Sequence, residues 1–219
     1  SDEAVAAEMA TAEGMTALEW AALALGGLGI GGVAAAAAGS GGGTSEIAGL
    51  GYTGAALTTI SAYAQNNGGT APVAADYTAA GVTGIGGAGQ PTVAQINAAL
   101  ADADVIGTAA DSTAEVQGIV DAYQAILANA DGTANNATSP SAADYTKLGV
   151  TGIDTAAELG LLGDVIDGKT AADVATPAQI QALADAAAAT VAYDGTNTPP
   201  TQAQLEALGV TGLTADNLA

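Results

Sequence analysis

Between residues 71 and 219 apolar positions recur at three- and four-residue intervals, in bursts that end at glycine. Ser112-Thr113-Ala114-Glu115 opens the longest burst, with Val116, Ile119, Val120, Tyr123, Ile126 and Leu127 on one face. That spacing predicts an amphipathic helix with one buried side. Thr176-Pro177-Ala178-Gln179 opens a second, with Ile180, Leu183, Ala187 and Val191. Proline is at home there, because the first helical N–H has no partner to lose. Thr92-Val93-Ala94-Gln95 starts a shorter helix carrying Val93, Ile96 and Leu100; Thr155-Ala156-Ala157-Glu158 starts one carrying Leu159, Leu162, Val165 and Ile166. In each, Ser or Thr is followed three residues later by Glu or Gln, the reciprocal pair that caps a helix start. The shortest predicted helices run from Pro72 to Gly81 and from Pro140-Ser141, the second with Tyr145 and Leu148 inward. Upstream, Leu57 to Gln65 predicts a helix with Leu57, Ile60 and Tyr63 or Ala64 on one face, stopped by Asn66-Asn67-Gly68-Gly69-Thr70.

These elements repeat. Ala75-Asp76-Tyr77-Thr78-Ala79-Ala80-Gly81-Val82-Thr83-Gly84-Ile85 returns as Ala143-Asp144-Tyr145-Thr146-Lys147-Leu148-Gly149-Val150-Thr151-Gly152-Ile153, and again as Ala203-Gln204-Leu205-Glu206-Ala207-Leu208-Gly209-Val210-Thr211-Gly212-Leu213. The first glycine recurs at 81, 149 and 209, giving periods of 149 − 81 = 68 and 209 − 149 = 60. A repeat of this size governs the reading of the whole chain. Its first glycine closes a helix in the left-handed conformation, the valine folds inward, and the second glycine allows a turn before the next cap. Leu50-Gly51-Tyr52-Thr53-Gly54 is a weak echo of the same string. The third copy is followed by Thr214-Ala215-Asp216-Asn217, a helix start without its helix. A half unit cannot bury its own face, so either the chain is expected to continue or another molecule completes it.

From Met15 to Ala38 the only charge is Glu19. As a helix these 24 residues would be about 36 Å long, enough to cross a bilayer. No Lys or Arg flanks them, so the positive-inside signal is missing. Gly26, Gly27, Gly29, Gly31 and Gly32 weaken a helix, while Gly27 and Gly31 form a small-xxx-small pair that lets backbones approach closely. Three fates are open: a membrane span, a helix buried against copies of itself or another protein, or a spacer. If copies pack there, the assembly residues are Leu18, Trp20, Leu23, Leu25, Gly27, Leu28, Ile30, Gly31 and Val33. The glycine run after it reads as a flexible linker.

Composition narrows the chemistry. There is no Cys, His or Arg, and Lys147 and Lys169 are the only cations. Disulfides, thiolate and imidazole metal ligands, His-based acid–base work and bidentate Arg clamps on phosphate are therefore excluded. A net charge of −21 works against nucleic acid, whose phosphates need cations. It predicts solubility and salt sensitivity, and it suits an extracellular setting. Carboxylates are the only catalytic groups in quantity. Asp102 with Asp104, or Asp111 with Glu115, could be paired, but Asp111, Ser112 and Asp154 read better as helix caps, and Asp131 and Asp194 as turn formers. No catalytic, cofactor or metal site is expected. Calcium binding, without a twelve-residue loop pattern, is expected to be nonspecific or weak.

The repeated string from Tyr145 to Ile153 and its copies, each followed by a second and third helix, resembles the GA-like three-helix modules of very large bacterial surface adhesins. The likeness covers about Ala71 to Ala219, and the Ala/Gly-rich stretch from Glu19 to Gly43 is similar to the segment that precedes repeats in such adhesins. Albumin binding, known for the modules that give the group its name, is not implied, because no contact surface matches. A second resemblance lies at Gly14-Met15-Thr16-Ala17-Leu18-Glu19-Trp20, which is similar to the processing site of type IV and Tad-type pilins. It implies cleavage after Gly14 and an apolar assembly helix. The basic leader residues of that family are absent, and residues 1–14 are still present.

The expected fold is all-α, with tandem small three-helix modules preceded by a long apolar Ala/Gly-rich N-terminal helix. The expected divisions are 1–44 (acidic lead-in, apolar helix and linker), 45–70 (a degenerate helical unit), 71–133 and 134–196 (three-helix modules) and 197–219 (a partial third). The expected role is a non-enzymatic, secreted structural protein of the bacterial surface, an adhesin or biofilm-matrix chain. One alternative is a pilus-like filament subunit polymerising through Met15–Ala38; another is a module that binds a host protein. Partners would be copies of itself or other matrix components, with membrane contact confined to the apolar helix.

Overall fold

The computed structural model describes residues 48–134 and 139–214. The apolar stretch, the pilin-like string, all nine assembly residues and the glycine linker lie outside the described residues. Within these limits the fold is all-α, with no strand among the described residues. No helix among them is long and apolar enough to cross a membrane.

The elements follow a rhythm of long, short and medium helices. Long α1 (Ala48–Gln65) is followed by short α2 (Ala74–Ala79) and medium α3 (Val93–Leu100). A 3-10 turn (Gly107–Ala109) leads to long α4 (Thr113–Asn129), short α5 (Ala142–Lys147) and medium α6 (Ala156–Asp167). Long α7 (Pro177–Ala192) and short α8 (Gln202–Ala207) close the described series. Each long helix packs on the short helix that follows it: α1 on α2, α4 on α5, α7 on α8. It also packs on the medium helix on either side, as α4 does on α3 and α6. The result is one continuous buried cluster running from Ala56 to Ala187. Its largest members are Tyr77, Tyr123, Tyr145 and a set of Ile and Leu, each side chain contributing about 1.5–3 kcal/mol by leaving water.

Helix starts obey the capping logic of the sequence. Thr92, Ser112, Thr155, Thr176, Ser141 and Thr201 each stand at the cap and accept from the backbone N–H three residues on. Asp111 and Asp154, expected as caps, stand one residue earlier instead; their backbone N–H groups donate to Glu115 and Glu158 at 3.2 and 2.8 Å. The cap hydroxyl must reach the third helical N–H, and Ser112 and Thr155 occupy that place.

Two other expectations are corrected. Leu50-Gly51-Tyr52-Thr53-Gly54 is no hinge: it is helical, and α1 begins at Ala48, nine residues ahead of Leu57. Helical glycine costs about 1 kcal/mol relative to Ala, but the α1 face built on Ala56, Ile60 and Ala64 packs on α2, α3 and the 3-10 turn, and that burial prevails. Ser61 Oγ adds a bond to the Gly107 carbonyl at 2.9 Å. Val191, placed on the buried face of its helix, is 37% exposed, whereas Ile180, Leu183 and Ala187 are buried. It lies in the last turn of α7.

Candidate functional site

The feature that recurs in this fold is the turn after each short helix. Gly81, Gly149 and Gly209 have φ of +78°, +82° and +91°, the left-handed region that glycine enters without strain. The glycine N–H returns to Thr78, Thr146 or Glu206 at 3.0, 3.0 and 2.9 Å. The valine N–H returns to Tyr77, Tyr145 or Leu205 at 2.9, 3.1 and 3.0 Å. These paired bonds are a Schellman closure, which satisfies carbonyls that a helix end would leave bare. Gly84, Gly152 and Gly212, again at positive φ, turn the chain a second time.

A side chain from the following long helix then grips the hinge. Gln117 Oε1 accepts from Thr83 N–H at 2.9 Å, and its Nε2 donates to the Thr83 carbonyl at 3.2 Å. In the next unit Gln181 does the same to Thr151, at 2.8 and 3.1 Å. Each side-chain amide thus pairs with one residue's N–H and C=O as a neighbouring strand would. The second amide hydrogen goes to a carboxylate one turn on, Asp121 at 2.8 Å and Asp185 at 2.6 Å, which fixes the orientation of the glutamine. This clamp was not anticipated from the sequence. Its signal, Gln-x-x-x-Asp on the long helix 34 or 30 residues after the hinge threonine, is present in both units.

The third hinge is folded but not gripped. Among the described residues no glutamine reaches Thr211. Val210 is 42% exposed, whereas Val82 and Val150 are 6% and 2% exposed. Leu205 and Leu208 are half-buried, whereas Tyr77, Ala80, Tyr145 and Leu148 are fully buried. The expected inward valine is therefore realised in two copies and not in the third.

The first two repeats differ in what meets the hydroxyl of the buried tyrosine on the short helix. Tyr77 donates its hydroxyl proton to Asn97 Oδ1, and Asn97 Nδ2 donates to the Pro72 carbonyl at 2.9 Å. The buried Ile96 and Leu100 of α3 correspond to Leu162 and Ile166 of α6, an offset of 162 − 96 = 66. Asn97 therefore corresponds to Gly163. A Cβ there would lie 2.9 Å from Ser139 Oγ, so a larger residue would have to displace the Ser139 side chain. The Tyr145 hydroxyl is consequently buried without a partner, as is Asn129 Oδ1, although Asn129 Nδ2 donates to the Gly163 carbonyl at 2.9 Å. Burial pushes the phenols of Tyr77, Tyr123 and Tyr145 well above their ordinary range.

The carboxylates do structural work. Glu115 is held below its ordinary value mainly by the Ser112 hydroxyl, and its hydrogen bond and charge push Asp111 up. Glu158 is lowered by the Thr155 N–H and hydroxyl, Asp173 by those of Thr170, and Asp194 by Thr196. Asp131 and Asp194 accept backbone N–H bonds from Thr133 and Thr196 at 2.7 and 2.8 Å, as turn formers do. Asp102 accepts from the Asp104 N–H at 3.1 Å. No group of three or more His, Cys, Asp or Glu among the described residues could hold a metal ion. Lys147 lies across Gly118 and 4.0 Å from Asp144, and it lines a shallow hollow with Asp104, Glu115 and Ile119. No protein-family model matches the chain, and no curated protein or solved structure is significantly similar to it.

Proposed function

We propose that this chain is a non-enzymatic structural element of a bacterial surface or extracellular matrix, a repeat-built helical spacer and not a catalyst. One observation carries the reading: the most elaborate polar arrangement in each full unit, Gln-x-x-x-Asp on a hinge threonine, joins the chain to itself and is reproduced from unit to unit. Polar groups invested in holding successive units at a fixed register suit a load-bearing or spacing role. The charge of −21 with two lysines keeps such a chain hydrated and disfavours adhesion to nucleic acid. The likeness to GA-like adhesin modules supports the same role. The tandem-module organisation and the apolar stretch Met15–Ala38, as the element through which copies associate, belong to this proposal.

Immunolabelling of intact producing cells and their shed matrix, with protease shaving, tests it. Surface label removed by protease is expected. Label recovered only from the cytosol would overturn the reading.

A further inference from the structure

We propose that Asn67 is a site of self-modification, at which the Gly68 nitrogen of the same chain converts the asparagine amide to a carboxylate. Two independent observations single it out. Asn67-Gly68 is the one Asn-Gly pair in the sequence, and glycine is the successor that leaves the attacking nitrogen unshielded. A Cβ built on Gly68 would meet nothing within 4 Å, so the surroundings are open as well. The second observation is the side chain. Each other asparagine among the described residues has its amide held by a backbone carbonyl: Asn66 by Ala62 at 2.7 Å, Asn97 by Pro72 at 2.9 Å, Asn129 by Gly163 at 2.9 Å and Asn197 by Ala192 at 2.7 Å. Asn67 is exposed, and its side chain makes no hydrogen bond among the described residues. It is also the one described non-glycine residue at positive φ, +51°. It closes α1 as the hinge glycines close the short helices, with its own N–H on the Ala64 carbonyl at 3.1 Å and the Gly68 N–H on that of Tyr63 at 3.0 Å.

The reaction needs only water. While the Gly68 N–H donates to Tyr63 the nitrogen is not free, so the opening of the helix end gates the rate. On opening, Gly68 gives its proton to hydroxide and its nitrogen attacks Asn67 Cγ. A five-membered succinimide closes as the Cγ–Nδ2 bond breaks, and Nδ2 takes a proton from water and leaves as ammonia. Water then opens the ring at either carbonyl. One opening gives aspartate; the other gives isoaspartate, whose main chain runs through Cβ and Cγ and is one atom longer. Each conversion consumes one water and releases one ammonia. Both products place a negative charge at the C-terminal end of α1, where the helix carbonyls already carry partial negative charge. Isoaspartate also moves the Gly68 N–H off the Tyr63 carbonyl. The turn it loosens is a seated one. Ser61 Oγ bonds the Gly107 carbonyl at 2.9 Å, and a Cβ on Gly107 would stand 2.9 Å from Gln65 Cβ. The modification therefore unfastens the end of α1 from the 3-10 turn ahead of α4, wherever the chain resides.

The test incubates the full chain in mildly alkaline buffer and reads its digest by mass spectrometry, with fragmentation that separates aspartate from isoaspartate. Asn67 is expected to convert to both, at least about tenfold ahead of Asn66, Asn97, Asn129 and Asn197. Relative to the same chain unfolded in guanidinium chloride, its rate should fall by the exchange protection factor of the Gly68 amide, within a few-fold, since one opening frees the nitrogen for both. Asn67→Gly keeps a residue at ease in the left-handed cap and leaves Asn66 in front of a glycine. Asn66, whose amide Ala62 holds, should then convert much more slowly than Asn67 does in the unaltered chain. Equal rates would show that sequence alone decides and would overturn the proposal. So would an Asn67 that stays intact in the folded chain while the unfolded chain converts, or earlier conversion of any of the other four asparagines.

Discussion

Gly149→Ala probes the hinge most sharply. At φ +82° a side chain costs roughly 1–2 kcal/mol, offset by about 0.4–1 kcal/mol of lost freedom in the unfolded chain. Any of the three hinge glycines should therefore lose about 1 kcal/mol on this account. At Gly149 there is more. The new carbon would lie 2.4 Å from Asp102 Oδ1 and 2.6 Å from its Cγ, so that carboxylate must move. Displacing it breaks the bond from the Asp104 N–H, about 1 kcal/mol, and an off-rotamer side chain adds roughly 0.5–1.5 kcal/mol. The sum is about 2.5–3.5 kcal/mol, against about 1 kcal/mol for Gly81→Ala, where the nearest atom is Thr113 Cγ2 at 3.5 Å. Thermal melting followed by circular dichroism should drop about 5–14 °C for Gly149→Ala and about 2–4 °C for Gly81→Ala. Adding Asp102→Ala should return the first toward the second. Equal losses at the two glycines, or no recovery in the double variant, would refute the reasoning.

Gln181→Ala should cost about 1 kcal/mol and speed exchange of the Thr151 amide; Gln181→Glu should cost more, because it faces Asp185 and has no donor for the Thr151 carbonyl. Hydrogen exchange with mass detection checks both, and an unchanged Thr151 rate would remove the clamp from the account. Tyr77→Phe should destabilise by roughly 1 kcal/mol, since Asn97 loses a partner, whereas Tyr145→Phe removes an unpartnered hydroxyl and should be neutral or stabilising. Equal denaturant midpoints lost by the two variants would contradict this. The phenols of Tyr77, Tyr123 and Tyr145 are raised above their ordinary 10.0 in the folded state, so the folded chain binds protons more tightly than the unfolded one. The stability this confers is present below pH 10.0 and is lost as pH rises past it. Tyrosinate absorbance of these residues should rise together with loss of helical signal; reversible ionisation in a chain that stays helical would disprove it.

The elements were legible where local chemistry decides them. Thr92, Ser112, Thr155 and Thr176 start helices because their hydroxyls reach an N–H three residues away, and that information lies within four positions of sequence. The hinge was legible for the same reason: its glycines, closing bonds and valine are neighbours. The start of α1 was not, because Gly51 and Gly54 argue against helix locally and are overruled by packing with elements far along the chain. The clamp was hidden because Gln117 and Thr83 are 34 residues apart, and one glutamine on a polar helix face resembles any other. The orphaned Tyr145 hydroxyl was hidden because nothing near Gly163 in the sequence marks it as the place of a missing asparagine.

Helices α4 and α7 each belong to two neighbours at once. Gln117 of α4 grips the hinge before it, while the same helix carries α5 and α6 after it. There is consequently no seam at which a unit can be lifted out intact. Excision of the segment from α4 to α6 would leave the Thr83 hinge facing the Gln181 helix, which carries the same glutamine and aspartate as the helix removed. Loss or gain of a whole period is therefore expected to restore a hinge against a gripping helix, whereas any other change of length is expected to leave a mismatched joint. The length of such a chain is a quantity that can be edited only in steps.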